Sequence, residues 1–316
     1  MTETALVTGC AGFVGSALVD HLLEKGYSVI GLDNFSVGLE RNIESALMNP
    51  EFRLVTADIM DKDLAKHFDS EIDIIYHLAA ISSVKRSVEE PLLIHRINTT
   101  GTLKVLELAR QYQIRRVVFS SSAAVYGMPN QMPVTEDTPV DPLSPYGASK
   151  LGAEMYLRSY HSTYGIEAVI LRYFNIYGPR QIFSPYSGVV SIFCNQALKD
   201  LPITVDGDGL QTRSLIHVDD AVEATRLAGE TSCAAGETMN VAGSDTITVL
   251  ELANRISALM PESKSSIVHG PARQGDVKES IGSGNRAKEL LGFTPAVALD
   301  DGLERTLDWY RNYLRS

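Results

Sequence analysis

Residues 9–15 read Gly-Cys-Ala-Gly-Phe-Val-Gly, a GxxGxxG spacing set between a short apolar stretch at 4–8 and an amphipathic one at 16–25. No other feature narrows the possible folds as much. Glycine permits a tight turn and a close backbone approach. A strand that runs into a helix through such a turn presents free helix N–H groups and a partial positive charge, which together suit a pyrophosphate. Gly9, Gly12, Phe13, Val14 and Gly15 are therefore the candidate phosphate-binding residues of a dinucleotide site. Glycines in a strand–helix turn can also be purely structural, and it is their position that favours binding.

The rest of the first half alternates in the same way. Apolar stretches at 27–32, 52–57, 72–78 and 116–120 read as strands, with helical stretches between them, 100–111 among these. A helix opens at Ser144-Pro145, runs to about 163 and stops near Gly165; a strand follows at 168–173 and a loop at 179–188. Further helices are expected at 249–259, 286–291 and 299–314. Such alternation predicts an α/β fold, a Rossmann-type doubly wound parallel sheet with a smaller, mostly C-terminal α/β lobe. Stretches near 214–228 and 237–241 are expected to complete the sheet. That divides the chain into a dinucleotide-binding domain of 1–175 plus about 214–243, and a lobe of about 176–213 plus 244–316.

Composition excludes several classes. The 316 residues carry a formal charge of −11, which argues against a nucleic-acid binder but not against an anionic small ligand. Cys10, Cys194 and Cys233 lie far apart with no zinc-like spacing, so no metal is expected and the thiols read as incidental in a reducing compartment. The opening MTETALVTG lacks a basic segment followed by an apolar run, and nowhere do about 18 apolar residues run together. The expectation is a soluble cytoplasmic protein without membrane or nucleic-acid partners.

Asp33 ends the second strand. A carboxylate there accepts hydrogen bonds from ribose hydroxyls and repels a 2′-phosphate. The following Asn34, Phe35, Ser36, Val37 and Gly38 include no cation, so NAD is favoured over NADP. The alternative is an aspartate that only caps a turn. Asp58-Ile59, after the third strand, is placed to meet the adenine.

Tyr146 and Lys150 form a YxxxK pair at the start of a helix, and the i, i+4 spacing puts both on one face. A free tyrosine is too weak an acid to act as a base at neutral pH. A nearby ammonium or a cationic nicotinamide lowers its pKa, which makes Tyr146 a candidate general acid/base for a substrate hydroxyl. Ser120-Ser121-Ser122 ends the strand before it, where the ligand edge of a parallel sheet lies. A hydroxyl there can bridge the substrate and the tyrosine.

The glycine run, Asp33, Asp58-Ile59, His77-Leu78-Ala79-Ala80, the SSSAAVYG of 120–127, Tyr146 to Lys150 and Tyr173-Phe174-Asn175 occur in the order and spacing of the extended short-chain dehydrogenase/reductases. The chain resembles the UDP-hexose 4-epimerases of that family over nearly its whole length. The resemblance implies NAD as cofactor, Ser122, Tyr146 and Lys150 as catalytic residues, and further cofactor contacts from Leu78, Ala79, Ala80, Asn98, Ser120 and Tyr173. It makes the smaller lobe a nucleotide-sugar site. Asn175, Arg213 and Arg273 would meet the diphosphate, Asp276 the uridine ribose, and Gly188-Val189 the nucleotide through their backbone. Ser83 falls in the SSVKRS of 82–87, which resembles the branch that handles N-acetylhexosamines. Ser280, seven residues after Arg273, would line the pocket beside the C2 substituent of the sugar. His217 is given a structural role, since Tyr146 is available as the base.

Dehydratases and decarboxylases of this family add acid/base groups after the strand-end hydroxyl. Here Ala123-Ala124 stand there, and alanine moves no protons. The expected reaction is 4-epimerisation of UDP-glucose/UDP-galactose, with the N-acetylated pair also accepted, through a 4-keto intermediate. Another nucleotide sugar, such as a UDP-uronate, or a non-catalytic NAD-binding regulator are the alternatives. The resemblance also implies a homodimer through the helices at 100–111 and 151–163.

Overall fold

The computed structural model describes residues 3–68, 72–183, 187–272 and 277–315. Its main sheet has seven parallel strands: β1 (Thr4–Thr8), β2 (Ser28–Asp33), β3 (Phe52–Thr56), β4 (Ile74–His77), β5 (Arg116–Ser122), β6 (Glu167–Tyr173) and β7 (Thr238–Val241). They run in the order β3-β2-β1-β4-β5-β6-β7. The direction of winding reverses between β1 and β4, and at such a switch point a crevice opens beyond the carboxyl ends of the strands. The sequence-based strands fall within a residue or two of these bounds.

The helices of ten residues or more are α1 (Phe13–Glu24), α2 (Gly101–Gln111), α3 (Pro145–Tyr164), α4 (Val189–Leu198), α5 (Val218–Glu230), α6 (Val249–Ala258) and α7 (Leu299–Arg315). α1 and α5 cover one face of the sheet through Leu18, Val19, Leu22, Ala221 and Val222. α2 and α3 cover the other through Val105, Leu106, Ala153 and Leu157. With both faces covered, β4 is buried at all four positions, which is why it reads as an apolar run rather than an alternating one. α3 shows how local chemistry sets a boundary. Ser144 Oγ accepts from Gly147 N at 3.1 Å, Pro145 takes the first helical position, and Gly165 ends the helix at φ 74°.

The stretch 214–228 departs from expectation. Ser214 ends the short strand Thr212–Ser214, Ile216–His217 pairs with Ile176–Tyr177 outside the main sheet, and the chain then becomes α5. β7 alone completes the sheet. Arg116, fully buried, ties α5 down: its Nη1 donates to the carbonyls of Ala228, Gly229 and Thr231, and its Nε to Glu167. These are carbonyls that a helix C-terminus leaves unpaired.

A second core joins α4, α6 and α7 around the parallel pair Ile203–Asp206 and Ile267–Gly270. Beside it Thr212–Ser214 pairs with Thr246–Thr248 on one edge and with Glu279–Ser280 on the other. Among the described residues no helix is long and apolar enough to cross a membrane.

Candidate active site

The glycine turn lies at the switch point. Gly9 adopts φ +74° and donates its N–H to Leu32 O at 2.7 Å. A Cβ on Gly15 would lie 2.0 Å from Gly9 O, so only glycine lets α1 start this close to β1. Gly12 caps α1 with no side chain to satisfy the first amides. The first turn of α1, Phe13 to Gly15, therefore keeps N–H groups for a phosphate. Asp33 is buried, its Oδ2 accepting from Ala11 N at 2.9 Å and its Oδ1 from Phe35 N at 2.8 Å. The carboxylate thus caps a turn and also adjoins the phosphate cradle, so the two readings of Asp33 are not exclusive. Asn34 Nδ2 donates to Asp58 Oδ2 at 2.9 Å, Ser36 N to Asn34 Oδ1 at 3.0 Å, and Gly38 lies against Ala11. The candidate residues from Asp33 to Gly38 and Asp58 thus form one rim. Ile59 is buried against Gly101. A cradle in which a Cβ would collide, next to a carboxylate and free of cations at 34–38, fits NAD.

Tyr146 and Lys150 occupy the first two turns of α3, 8% and 3% exposed. Gly147 sits where a Cβ would come within 2.5 Å of Ala124 O, so the start of α3 presses against the turn that follows Ser122. Ser122 Oγ accepts from Ala124 N at 3.2 Å, and its hydroxyl acts on the Tyr146 phenol. The three proposed catalytic groups are thus brought together. The electrostatics differ from expectation. Burial holds the Tyr146 phenol above its ordinary pKa, and the Ser122 hydroxyl opposes this only in part. The Lys150 ammonium donates to Ser120 O at 2.7 Å and faces the Phe119 ring. Burial pushes Lys150 itself down to about 7, against the pull of the Glu154 carboxylate.

The wall behind these groups is a directed chain of hydrogen bonds. Thr102 Oγ1 donates to Asn98 O at 2.6 Å, so it can only accept from His77 Nε2, 3.0 Å away. His77 Nδ1 then accepts from Thr8 Oγ1 at 2.7 Å, and Thr8 Oγ1 accepts from Ala79 N. Asn98 is 1% exposed; its amide donates to Ile81 O and to Ser149 Oγ, and its Oδ1 accepts from Ile81 N. Asn98 thus ties Ile81, next to Leu78, Ala79 and Ala80, to Ser149 on α3. Tyr173 ends β6. Its hydroxyl is 2.6 Å from Thr225 Oγ1 of α5, on the face of the sheet that α1 also covers.

On the lobe side, Asn175 Nδ2 donates to Ser214 O at 3.0 Å and to Ser280 Oγ at 3.2 Å. Ser280 is in register with Arg213 on the neighbouring strand. Arg213 Nη1 donates to Thr212 O and Val277 O. Asn175, Arg213 and Ser280 thus share one rim. Gly188 caps α4 ahead of Val189 with no side-chain cap bond, so the first turn presents backbone N–H groups. Ser83 Oγ accepts from Arg86 N and caps the short helix Val84–Glu89. Arg273 and Asp276 lie outside the described residues. His217 is buried, accepts from Asp219 N through Nδ1 and meets Tyr177 edge-on, which is the structural role expected for it. Three groups were not singled out in the sequence: Thr8, Glu154 and Arg172. The signals were the i, i+4 spacing of Glu154 after Lys150 and an arginine in an otherwise apolar strand.

A doubly wound sheet with a glycine turn at its switch point, and a Ser–Tyr–Lys set at the end of β5 and the start of α3, defines an extended short-chain dehydrogenase/reductase. The family described as GDP-mannose 4,6 dehydratase matches residues 6–306, and the chain belongs to it. It is 40% identical over 309 residues to the UDP-glucose 4-epimerase of Mycolicibacterium smegmatis, covering 97% of this chain and 98% of that one. Among solved structures it is similar to the UDP-N-acetylglucosamine 4-epimerase from Methanobrevibacter ruminantium in complex with UDP-N-acetylmuramic acid. The TM-score is 0.93 and the identity 34%, over 99% of this chain and 100% of that one. It is also similar to the UDP-glucuronic acid 4-epimerase from Bacillus cereus in complex with UDP-glucuronic acid and NAD. There the TM-score is 0.91 and the identity 34%, over 98% of this chain and 100% of that one.

Burial and the charge of Lys150 push His77 down to about 3, so the ring stays neutral in the fold. An unfolded histidine binds a proton below about pH 6.5. The unfolded state therefore binds more protons in the window between, and stability falls as pH drops from about 6.5 towards 3, by up to ~1.4 kcal/mol per pH unit. In His77→Gln this component should vanish, leaving a pH dependence shallower by about one proton. Urea unfolding of both proteins at several pH values between about 4 and 7 checks this, and equal slopes would show that His77 is not held neutral.

Proposed function

We propose that this chain is an NAD-dependent 4-epimerase of UDP-hexoses, acting on UDP-glucose/UDP-galactose and also on UDP-N-acetylglucosamine/UDP-N-acetylgalactosamine. The observation that carries this reading is Ser122, Tyr146 and Lys150 gathered at the carboxyl end of β5 beside the glycine cradle. The adjoining turn, Ala123–Tyr126, supplies no further carboxylate or amine. Among reactions that begin by oxidising C4 of the sugar, eliminations and decarboxylations need such a group. Return of the hydride to the other face does not. The aligned epimerases support the same reading.

NAD is the cofactor. Gly9, Gly12 and Gly15 would hold its pyrophosphate, Asp33 its adenosine ribose and Lys150 its nicotinamide ribose; when bound it takes up and returns the C4 hydride. Tyr146 takes the proton of the C4 hydroxyl and returns it from its phenol, with Ser122 bridging the two oxygens. Because burial holds Tyr146 high, the base gains from a positive charge nearby, which a nicotinamide cation would provide. Burial also keeps water from competing for that proton.

Asn175, Arg213 and the first turn of α4 would receive the diphosphate, with Arg273 and Asp276 completing the nucleotide site. Ser280 is small, and its contact with Asn175 supports a place beside the sugar. A serine there leaves room for an N-acetyl group where a larger side chain would not. We further infer a homodimer through α2 and α3, since α3 exposes Met155, Tyr156 and Tyr164; light scattering should give twice the chain mass, and a monomer would refute it.

Tyr146→Phe removes only the hydroxyl. It should keep the fold and NAD while turnover falls by roughly 10²–10⁴-fold. Near-wild-type turnover would remove Tyr146 as the base. The overall reading is tested by incubating the protein with separate UDP-sugars and resolving the products by chromatography, with NAD assayed after denaturation. The expected result is interconversion of both the plain and the acetylated pairs without added cofactor. Exclusive turnover of UDP-glucuronate would reassign the substrate, and stoichiometric NADH build-up would refute epimerisation. Ser280→Tyr should abolish activity on the acetylated pair and spare the plain hexoses. A wild-type enzyme that ignores UDP-N-acetylgalactosamine would refute the role of Ser280.

A further inference from the structure

One layer beneath the catalytic groups lies an ion pair that the mechanism above does not use. Glu154, one turn after Lys150 on α3, is fully buried. Its Oε1 accepts from Arg172 Nε at 2.9 Å and from Ser121 Oγ at 2.6 Å, and its Oε2 accepts from Arg172 Nη2 at 2.6 Å. Ser121 and Arg172 are cross-strand partners on β5 and β6, and the next pair in register is Ser122 with Tyr173. The Arg172 guanidinium also lies 4.7 Å over the Tyr126 ring, whose hydroxyl donates to Asn240 Oδ1. Stability gives no reason for this arrangement, because buried ion pairs are often replaceable by apolar residues at no cost. Its placement gives one: Ser121, which Glu154 holds, precedes Ser122, Arg172 is the cross-strand partner of Ser121, and Glu154 itself stands one helix turn after Lys150.

We propose that Glu154 is a positioning residue for the epimerase: it locks the end of β5 so that Ser122 meets Tyr146, and it supplies the buried negative charge that keeps Lys150 an ammonium. This rests on the reading of Tyr146 as base given above. The titratable and charged groups facing Lys150 are His77 from β4, Tyr146 and Glu154 from α3, and Arg172 from β6 behind Glu154. His77 and Tyr146 are neutral, so Glu154 is the one anion of this set. Its carboxylate acts on Lys150 in opposition to burial. Without it Lys150 loses its proton at lower pH, and Arg172, no longer neutralised, adds to that loss.

The test uses the full chain and the UDP-sugar that wild type turns over. Glu154→Gln keeps the shape and loses the charge. KM should stay within about threefold while kcat falls at least ~10-fold, with the alkaline limb of the kcat/KM profile displaced to lower pH by about one unit. Lys150, followed by NMR of ε-13C-labelled lysine and assigned with Lys150→Met, should titrate lower by the same amount; this readout does not depend on turnover. Ser121→Ala should lower kcat without moving the titration, and Glu154→Asp should restore the titration. If Glu154→Gln does not fold, Glu154→Gln/Arg172→Gln leaves no unpaired charge; kcat should still fall with KM within about threefold, and the Lys150 titration should move in the same direction but by less, because Arg172 no longer adds to it. An unmoved Lys150 titration and pH profile, or a raised KM with kcat unchanged, would overturn the proposal. Full activity in Tyr146→Phe would instead overturn the assignment of the base.

Discussion

α1 approaches the turn after β1 so closely that a Cβ on Gly15 would lie 2.0 Å from Gly9 O. Much else follows from this contact. It forces Gly9 into φ +74° and turns the chain sharply enough for the helix to start at the strand end. The turn is held from both sides, by Leu32 O at the end of β2 and by Ala79 after β4. Those neighbours flank β1 because the sheet reverses there. The place where helix N–H groups point outward is therefore the place where the sheet leaves a crevice. A phosphate site at this point is a consequence of topology and close packing together.

Below the crevice the sheet is apolar, and at its rim the side chains become polar and are paired inside the protein. Thr8 and His77 pair across β1 and β4; Ser121, Arg172 and Glu154 pair across β5, β6 and α3. A buried polar group left without a partner costs on the order of 1–3 kcal/mol, so each such residue constrains the next. The direction of the His77 chain is set wholly by Thr102, which has already spent its proton on Asn98 O. These pairings fix the strand ends on which Ser122 and Ala79 stand, and they leave Lys150 as a cation whose burial is opposed by one nearby carboxylate.

The sheet was legible in the sequence because strands buried on both faces leave apolar runs, and β1 was read to the residue. The glycine turn, Asp33, Tyr146 and Lys150 were legible because each depends on local spacing. Residues 214–228 were misread because an apolar run alone does not separate a strand from a buried helix, and here the run becomes α5. Asn98 and Tyr173 were placed at the site by position in the chain, but their orientation depends on contacts from Ile81, Ser149 and Thr225, which no local pattern reports. Glu154 and Arg172 escaped for the same reason: the i, i+4 spacing marks a helix face, and only the fold shows what that face meets.

The two halves of the ligand site are joined more tightly than their separation in sequence suggests. β6 ends at Tyr173, and two residues on Asn175 reaches across to Ser214 O and Ser280 Oγ. The segment that follows Ser280 is stitched back to the loop after Ser122. Val134 N donates to Ile281 O and Ser283 N to Val134 O, both at 2.8 Å, while Gly282 lies flat on the Phe174 ring. Val134, Val125, Tyr126 and Phe174 form one small core, and Tyr126 leans on Arg172. Ser280 cannot shift without disturbing that core, nor can the core shift without disturbing the partner of Glu154. The side chain assigned to sugar size and the groups assigned to proton transfer thus border one small core, and the contacts that join them are internal to the chain.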